Sequence, residues 1–414
     1  MEKKENSQVT SVSKTLGIVR IFRLIGPGII IAASIIGPGT VTTTSSTGAQ
    51  YGYLLLWCCI VSAILAYILN EPGLRWTLKT GKTMLEGIRE MNPILSKITF
   101  IALFVGALAY QTGNYLGASM AINLLIPGIS IQMALIILSA FSVVIAFIGR
   151  YKVLENVNTG LVVMMLFAFL ITMFGSGPSI GGIAQGLVPN VPKGAELLVL
   201  GLVGTTVCPD IPFAMSSLTK KKWTNGVQDL RAAKNDLRLN MILTGVVTCA
   251  IIICSATTLH PQGITVSSAA DMAQQLIPVL GRYAGALFAL GLWAAGFSSA
   301  IYMTSCIPPM MAESFGFEDD PKGWKNRSCV GIIAVFPIIV TFVFSGTVPT
   351  AIIIAAQVLN TLILPLSVIL ITILGNKKKV LGEYSSKPIQ NIGMGFLAIV
   401  VVLLTITAIR SLLF

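Results

Sequence analysis

The chain has 414 residues, of which 54% are apolar and only 11% are charged, and its formal net charge is +12. Soluble proteins carry roughly 25% charged residues, so these values exclude a string of soluble domains and predict one domain embedded in a membrane. The basic excess would suit a nucleic-acid-binding protein, but its distribution along the chain points to membrane topology instead.

Eleven apolar stretches follow a polar N-terminal tail (residues 1–24). Each is long enough to cross a bilayer core of roughly 30 Å, and the first is too long and too punctuated for a signal peptide. They cover residues 25–47, 52–71, 98–125, 130–149, 156–175, 196–218, 239–259, 281–310, 328–346, 349–374 and 391–413. The pattern predicts an all-α integral membrane protein with about eleven transmembrane helices.

Lysine and arginine fall almost entirely on one side of the predicted membrane. With the N-terminus inside, the interior segments hold 25 of the 28 basic residues, and the exterior keeps Lys193, Arg282 and Arg410. Such a bias marks the cytoplasmic side of membrane proteins. We therefore expect a multi-pass plasma membrane protein with a cytoplasmic N-terminus, its C-terminus outside, and no nucleic-acid partner.

The first and sixth spans contain helix breakers at their centres. Residues 37–40 are Gly-Pro-Gly-Thr and residues 208–210 are Cys-Pro-Asp. Proline removes a backbone donor and clashes with the preceding turn. Two broken spans in corresponding positions are typical of inverted-repeat transporters with a site at the bilayer midplane. We expect the first repeat at residues 25–175, the second at 196–374, and an additional span at 391–413.

Asp210 is the one carboxylate, of sixteen, that falls inside a predicted span; the others lie in loops or at span ends, as Glu71 does at the end of span two. A charge at that depth is costly and by default marks a functional site. An acid there can also cap the second half of a broken helix, where the helix dipole favours negative charge, and the two roles are compatible. Asp210 is accordingly predicted to be the coupling residue. It could take up a proton, coordinate a cation directly, or balance the charge of a cation bound nearby.

Hydroxyl side chains follow the break in the first span, seven of them within residues 40–47. Backbone amides and the dipole at a helix N-terminus attract anions, and hydroxyls add neutral donors. Serine and threonine in membrane helices also bond back to carbonyls of their own helix, so both interpretations stay open. Thr40 is the member of this group most expected to face substrate.

Two further spans carry amide side chains in pairs three residues apart, Gln111 with Asn114 and Gln357 with Asn360. Each pair shares one helix face, where amides either line a site or join helices by hydrogen bonds. The only histidine, His260, lies in a predicted exterior loop. A metal cluster or a nucleophile–base pair is therefore unsupported, and we expect neither an enzyme nor a cofactor.

These residues give the chain a resemblance to the NRAMP family of proton-coupled divalent-metal transporters over nearly its whole length. The matching stretches are 26–28, 37–40 and 48–53; 80–82 with Glu86; 117–118 with 123–125; Gly204, 206–207 and Pro209; and 357–358 with 364–365. The resemblance implies the LeuT-type fold, which consists of two inverted five-helix repeats with broken helices 1 and 6.

The chain departs from the family where the resemblance places the metal ligands. Gly37 and Thr40 stand in place of the metal-binding Asp and Asn, Cys208 in place of the methionine ligand, and Thr205 at the carbonyl ligand position. Two family histidines and an acidic pair tied to proton movement correspond to Asp210, Met215, Gln111 and Asn114. A desolvated divalent cation needs negative ligands close by, so the family's usual site is lost.

The sequence thus favours a secondary active transporter for a small non-metal anion, such as bicarbonate or a small carboxylate, with proton or sodium symport. The alternative is a Mn²⁺ or Mg²⁺ transporter that uses Asp210 and Cys208. Under either interpretation, the expected partners of the chain are a small ion or small-molecule substrate and the lipid bilayer. The predicted substrate residues are Gly37, Gly39, Thr40, Thr43, Thr205, Thr206, Cys208 and Gln357, and the predicted coupling residues are Asp210, Gln111 and Asn114.

Overall fold

A computed structural model describes residues 36–148 and 152–413 of the chain. Every regular element within these ranges is helical, which confirms the predicted all-α class. The N-terminal tail and the first half of span one, including residues 26–28, lie outside the described residues.

The first half of the chain supplies seven α-helices. They are α1 (Pro38–Tyr51), α2 (Leu56–Thr80), α3 (Met84–Met91), α4 (Pro93–Leu125), α5 (Ile131–Ile148), α6 (Lys152–Gly175) and α7 (Ile180–Gly186). Helices α6 and α7 are bent by 119° at the break between them. Residues 180–186, expected as loop, are therefore a short helix, capped by the Ser179 hydroxyl.

The second half supplies eleven more. They are α8 (Glu196–Thr206), α9 (Ile211–Lys222), α10 (Leu230–Thr258), α11 (Ala269–Gln274), α12 (Ile277–Leu280), α13 (Ala284–Phe315), α14 (Trp324–Val343), α15 (Pro349–Thr361), α16 (Leu364–Gly375), α17 (Lys378–Leu381) and α18 (Pro388–Leu413). By length and composition, eight spans among the described residues can cross a membrane, or nine with the bent α6–α7 pair.

The tenth predicted span is broken as well as the first and sixth. Helix α15 ends at Thr361 and α16 begins at Leu364, with a proline in its first turn. The predicted span at 349–374 thus corresponds to one span long enough to cross a membrane, Pro349–Gly375, which contains this interruption. Pro365 carries the physical reason, because a proline is tolerated in the first turn of a helix and not in its interior.

Helices α2 and α10 extend further toward the basic side than hydropathy predicts. The predicted spans stop at 71 and start at 239, whereas α2 continues to Thr80 and α10 begins at Leu230. The added turns hold Arg75 and Lys234, and both form ion pairs with Glu71, the last residue of the predicted second span. Glu71 lies 2.9 Å from Arg75 and 2.5 Å from Lys234.

Helix α1 is buried along its length although most of its side chains carry hydroxyls. Every residue from Pro38 to Ala49 is buried, and α1 packs against α10, α8, α15 and α4. Apolar clusters on either side, one including Leu69 and Phe213 and the other including Phe288 and Phe297, enclose this polar helix. The break at the start of α1 is thereby held in the middle of the bundle.

Candidate substrate site at the helix breaks

The first break is made by residues 37–40. Gly37 is the N-cap of α1 in extended conformation, makes no side-chain cap, and accepts a hydrogen bond from the Val41 amide at 3.1 Å. Pro38 fits the first helical position because its missing amide hydrogen would have no partner there. The first turn contains no acidic side chain, so its positive dipole end is not neutralised by a carboxylate of its own.

The second break lies between α8 and α9 and carries Asp210. Helix α8 closes with the Val207 amide bonded to the Val203 carbonyl at 2.7 Å, and Asp210 is the N-cap of α9. Its main-chain carbonyl accepts from Phe213 and Ala214, but its side chain makes no capping bond. Asp210 therefore occupies the N-cap position of α9, but its carboxylate does not cap the helix.

A direct contact links the two breaks. The hydroxyl oxygens of Thr40 and Thr205 are 2.7 Å apart, and both side chains are fully buried. The sequence placed both residues in the substrate site, and the structure brings them together across 165 positions of chain. Their shared hydrogen bond connects the first turn of α1 to the last turn of α8.

Gln357 of α15 fills the space beside the first break. A Cβ added at Gly39 would lie 2.1 Å from the Gln357 Nε2 atom, and one added at Gly113 would lie 3.3 Å from the same atom. The Gln357 amide therefore sits between α1 and α4. Neither of its polar atoms has a hydrogen-bond partner among the described residues. Gly39 is required here because any side chain would displace this amide.

Cys208 is held by the helix that precedes it. Its Sγ contacts the carbonyl oxygens of Gly204 at 3.4 Å and Thr205 at 3.5 Å. A sulfur that faces two carbonyls acts as an S–H donor, so in this conformation Cys208 is a thiol and not a free thiolate ligand. Thr206 is buried beside it.

The Asp210 carboxylate is 1% exposed, and neither oxygen has a hydrogen-bond partner among the described residues. It interacts electrostatically with the side chains of Tyr110, Tyr302, Cys208 and Cys306. The sequence prediction missed Tyr110, Tyr302 and Cys306, because hydropathy counts these residue types as apolar. Their spacing held a signal: Tyr302 and Cys306 are four apart on one face of α13.

Some hydroxyls of α1 bond to carbonyls of their own helix, whereas others are left available to a substrate. Thr44 and Thr47 bond back to the carbonyls of Thr40 and Thr43 at 2.6 and 2.7 Å. Ser45 instead accepts from the Gln275 amide at 2.8 Å. Three of the group have hydroxyl oxygens that are buried without a hydrogen-bond partner among the described residues: Thr42, Thr43 and Ser46.

Gln111 and Asn114 join helices in this structure. The Asn114 amide donates to Gln111 Oε1 at 3.2 Å, and Gln111 Nε2 donates to the Ala300 carbonyl of α13 at 3.2 Å. Asn114 Oδ1 is buried without a partner in the described part of the chain. The pair therefore forms an interhelical contact and leaves one acceptor available beside it.

No group of three or more His, Cys, Asp or Glu side chains among residues 36–148 and 152–413 is arranged to hold a metal ion. Any ion bound at the breaks would meet one carboxylate, from Asp210, and otherwise neutral oxygen, nitrogen and thiol groups. Such a set of ligands differs from a structural metal site, in which protein side chains supply all the ligands.

Residues 28–411 match the model of a known family, described as "Natural resistance-associated macrophage protein-like". The chain is 29% identical over 392 residues to the divalent metal cation transporter MntH of Erwinia tasmaniensis, covering 92% of this chain and 93% of the relative. MntH of Pectobacterium carotovorum is 28% identical over 401 residues and covers 95% of both chains.

Solved structures share the fold. A mutant of the manganese transporter of Eremococcus coleocola aligns with a TM-score of 0.78 at 20% identity, covering 94% of this chain and 86% of the other. MhsT in complex with L-phenylalanine aligns at 0.61 and 14% identity, covering 93% and 98%. Mhp1, a nucleobase-cation-symport-1 transporter, aligns at 0.57 and 15% identity, covering 94% and 90%. The fold is thus the LeuT type, and the chain belongs to the natural resistance-associated macrophage protein family as a secondary transporter built on that scaffold.

Proposed function

We propose that this transporter carries a divalent metal cation of the Mn²⁺ or Mg²⁺ type, with Asp210 as its charged ligand. The observation that carries the proposal is the Asp210 carboxylate, buried at a helix break with both oxygens unpartnered among the described residues. A buried charge needs a counter-charge or a proton. A cation substrate supplies one, whereas an anion would place a second negative charge nearby.

The neutral groups at the breaks favour a hard cation that keeps part of its hydration shell. Thr40, Thr205 and Gln357 offer hydroxyl and amide oxygens. Cys208 is engaged as a thiol with two carbonyls, so a soft sulfur ligand is not presented. Mg²⁺ and Mn²⁺ prefer oxygen ligands, and Mg²⁺ usually retains several waters when bound through one or two carboxylates.

Asp210 also serves as the coupling site in this proposal. The same carboxylate takes a proton when the cation leaves, which avoids a bare charge in the membrane. Gln111 and Asn114 cannot carry a proton at neutral pH; they hold α4 against α13 and leave Asn114 Oδ1 as a polar acceptor. We propose that residues 25–175 and 196–374 are the two inverted repeats of a transporter that works by alternating access, in a cell membrane with the basic loops inside.

The relatives support a cation over the anion that the sequence favoured. Both curated relatives cited above are divalent metal cation transporters by name, and the aligned Eremococcus coleocola protein is a manganese transporter. One observation keeps a small anion as the second candidate. The start of α1 lacks an acid, and the hydroxyls of Thr42, Thr43 and Ser46 are buried without partners in the described residues.

Uptake into proteoliposomes tests the proposal. Purified protein is reconstituted, and the entry of Mn²⁺, Mg²⁺ and labelled bicarbonate is measured with and without a pH gradient. We expect saturable cation uptake that D210N abolishes. The matched control is D271N, which removes a carboxylate that binds Ser267 and Ser268 outside the membrane helices and should leave uptake intact. Bicarbonate uptake without cation uptake would replace the proposal with the second candidate.

A further inference from the structure

Helices α2 and α10 enclose an apolar groove of about 550 Å³ on the outside of the bundle. Ile60, Ile64 and Tyr67 of α2 line one wall, and Ile242 and Val246 of α10 line the other. Ile64 and Ile242 are more than half exposed, so the groove faces the surroundings of the bundle. For a chain in a membrane, those surroundings are lipid.

The groove continues into a basic pocket at the end of α10. This second cavity, of about 430 Å³, is lined by Arg231, Lys234 and Arg238 without a carboxylate, and Arg238 lines both cavities. It lies on the side of the membrane that carries the lysine and arginine excess. The two acids nearest in sequence have other partners: Asp229 binds Asn225, and Asp236 interacts electrostatically with Lys222.

The three cations have different partners. Lys234 forms an ion pair with Glu71 at 2.5 Å. Arg238 donates from Nε to the Tyr67 hydroxyl at 3.2 Å and stacks over that ring at 5.8 Å, which aligns its guanidinium with the end of the groove. Arg231 has no ion pair or side-chain hydrogen bond to any residue that the structure describes. Arg231 and Arg238 are therefore the two positive charges available to an anion.

The dimensions of the groove match one acyl chain in one leaflet. Its α10 wall runs from Arg238 to Cys249, and at 1.5 Å per residue this spans roughly 16 Å, about half of a 30 Å hydrocarbon core. Basic pockets between membrane helices on the cytoplasmic side bind anionic headgroups. Free phosphate would use the basic pocket alone, whereas a phospholipid uses both cavities.

We propose that this surface is a binding site for an anionic glycerophospholipid. One acyl chain lies in the groove between α2 and α10, and the headgroup phosphate binds Arg231 and Arg238. The site is separate from the helix breaks, so its test does not depend on the transported substrate.

Native mass spectrometry of the full chain tests the site. Protein in detergent is titrated with phosphatidylglycerol and phosphatidylcholine of equal chain length, and the first bound lipid is counted. We expect a preference for phosphatidylglycerol that falls roughly tenfold or more in R231Q/R238Q, because each basic residue near a membrane surface contributes attraction to anionic lipid. The control K322Q/K325Q removes two basic residues elsewhere on the same predicted side and should keep the preference.

A second variant tests the groove separately from the charges. I242W fills the groove and should reduce retention of both lipids, while I339W, at a similarly exposed position on α14, should not. Inorganic phosphate at tens of millimolar should compete weakly, since it gains nothing from the groove. Equal retention of the two lipids by the wild type, or an unchanged preference in R231Q/R238Q with normal elution on size exclusion, would overturn the proposal. So would full displacement by phosphate.

Discussion

Two buried carboxylates, Glu71 within α2 and Asp210 at the break between α8 and α9, have opposite surroundings. Glu71 contacts Arg75 and Lys234 and accepts from the Gln390 amide at 3.2 Å. Asp210 is as buried, yet neither of its oxygens has a hydrogen-bond partner in the described residues. Burial alone therefore does not mark a functional acid. An acid whose partners come from the protein stabilises the fold, and one without them is available to a cation or a proton.

Replacing Asp210 gives the largest effect expected from this contrast. D210N should reduce cation uptake at least 100-fold, since the neutral amide cannot supply the charge that the ion needs, and should leave thermal stability unchanged or raised because an uncompensated charge is removed. Uptake assays and thermal unfolding in detergent measure both. Normal uptake by D210N would remove Asp210 from the site.

Replacing Glu71 should do the reverse. E71Q removes the counter-charge of the buried Arg75 and of the half-buried Lys234, and removing one partner of a buried ion pair such as Arg75–Glu71 typically costs 3–5 kcal/mol. We expect a clear fall in the unfolding temperature, with the surviving folded protein still able to bind cation. The solvent-exposed pair Lys82–Glu90 provides the control, because E90Q should change stability by at most about 1 kcal/mol. Equal effects of E71Q and E90Q would contradict this account.

Gly39 tests how closely the first break is packed. In G39A the new Cβ would meet Gln357 Nε2 at 2.1 Å, so the amide must move, and we expect at least a tenfold loss of uptake. Adding Q357A should restore stability without restoring uptake. G331A is the matched control, since no atom of the described part of the chain lies within 4 Å of a Cβ there. Unchanged uptake in G39A would show that the Gln357 amide is not needed where it lies.

The smallest effect should come from the hydrogen bond between the breaks. T40V or T205V removes the 2.7 Å contact, and a net hydrogen bond contributes about 1 kcal/mol, so we expect KM to rise roughly fivefold. The double variant should be little worse than either single one, because both remove the same interaction. T47V is the control, since the Thr47 hydroxyl, among the residues that the structure describes, bonds only to the Thr43 carbonyl of its own helix. Additive losses in the double variant would show that the two hydroxyls act independently.

The sequence could predict what depends on local pattern. Apolar stretches locate the helices, and the proline and glycine residues at 37–39 and 209 locate two breaks. Charge placement singles out Asp210. Pro365 is the same kind of signal for the interruption between α15 and α16. The residues around it are continuously apolar, so hydropathy shows one unbroken stretch there.

Contacts between distant segments could not be predicted in this way. The partners of Glu71 come from positions 75, 234 and 390, and nothing local specifies that α10 and α18 reach it. The Gln357 side chain fills the space at Gly39 only because α15 packs beside α1. The interactions of Tyr110 and Tyr302 with Asp210 could not be predicted either. A tyrosine within an apolar stretch counts as a hydrophobic residue, and only the fold shows that its hydroxyl faces a charge.

Calorimetric titration of the purified chain with Mn²⁺ and with Mg²⁺, beside D210N and D271N, measures directly whether Asp210 binds a divalent cation. We expect saturable binding of at least one of these cations by the wild type and D271N, and none by D210N. Binding of bicarbonate with no response to either cation, or cation binding that D210N leaves unchanged, would contradict this expectation.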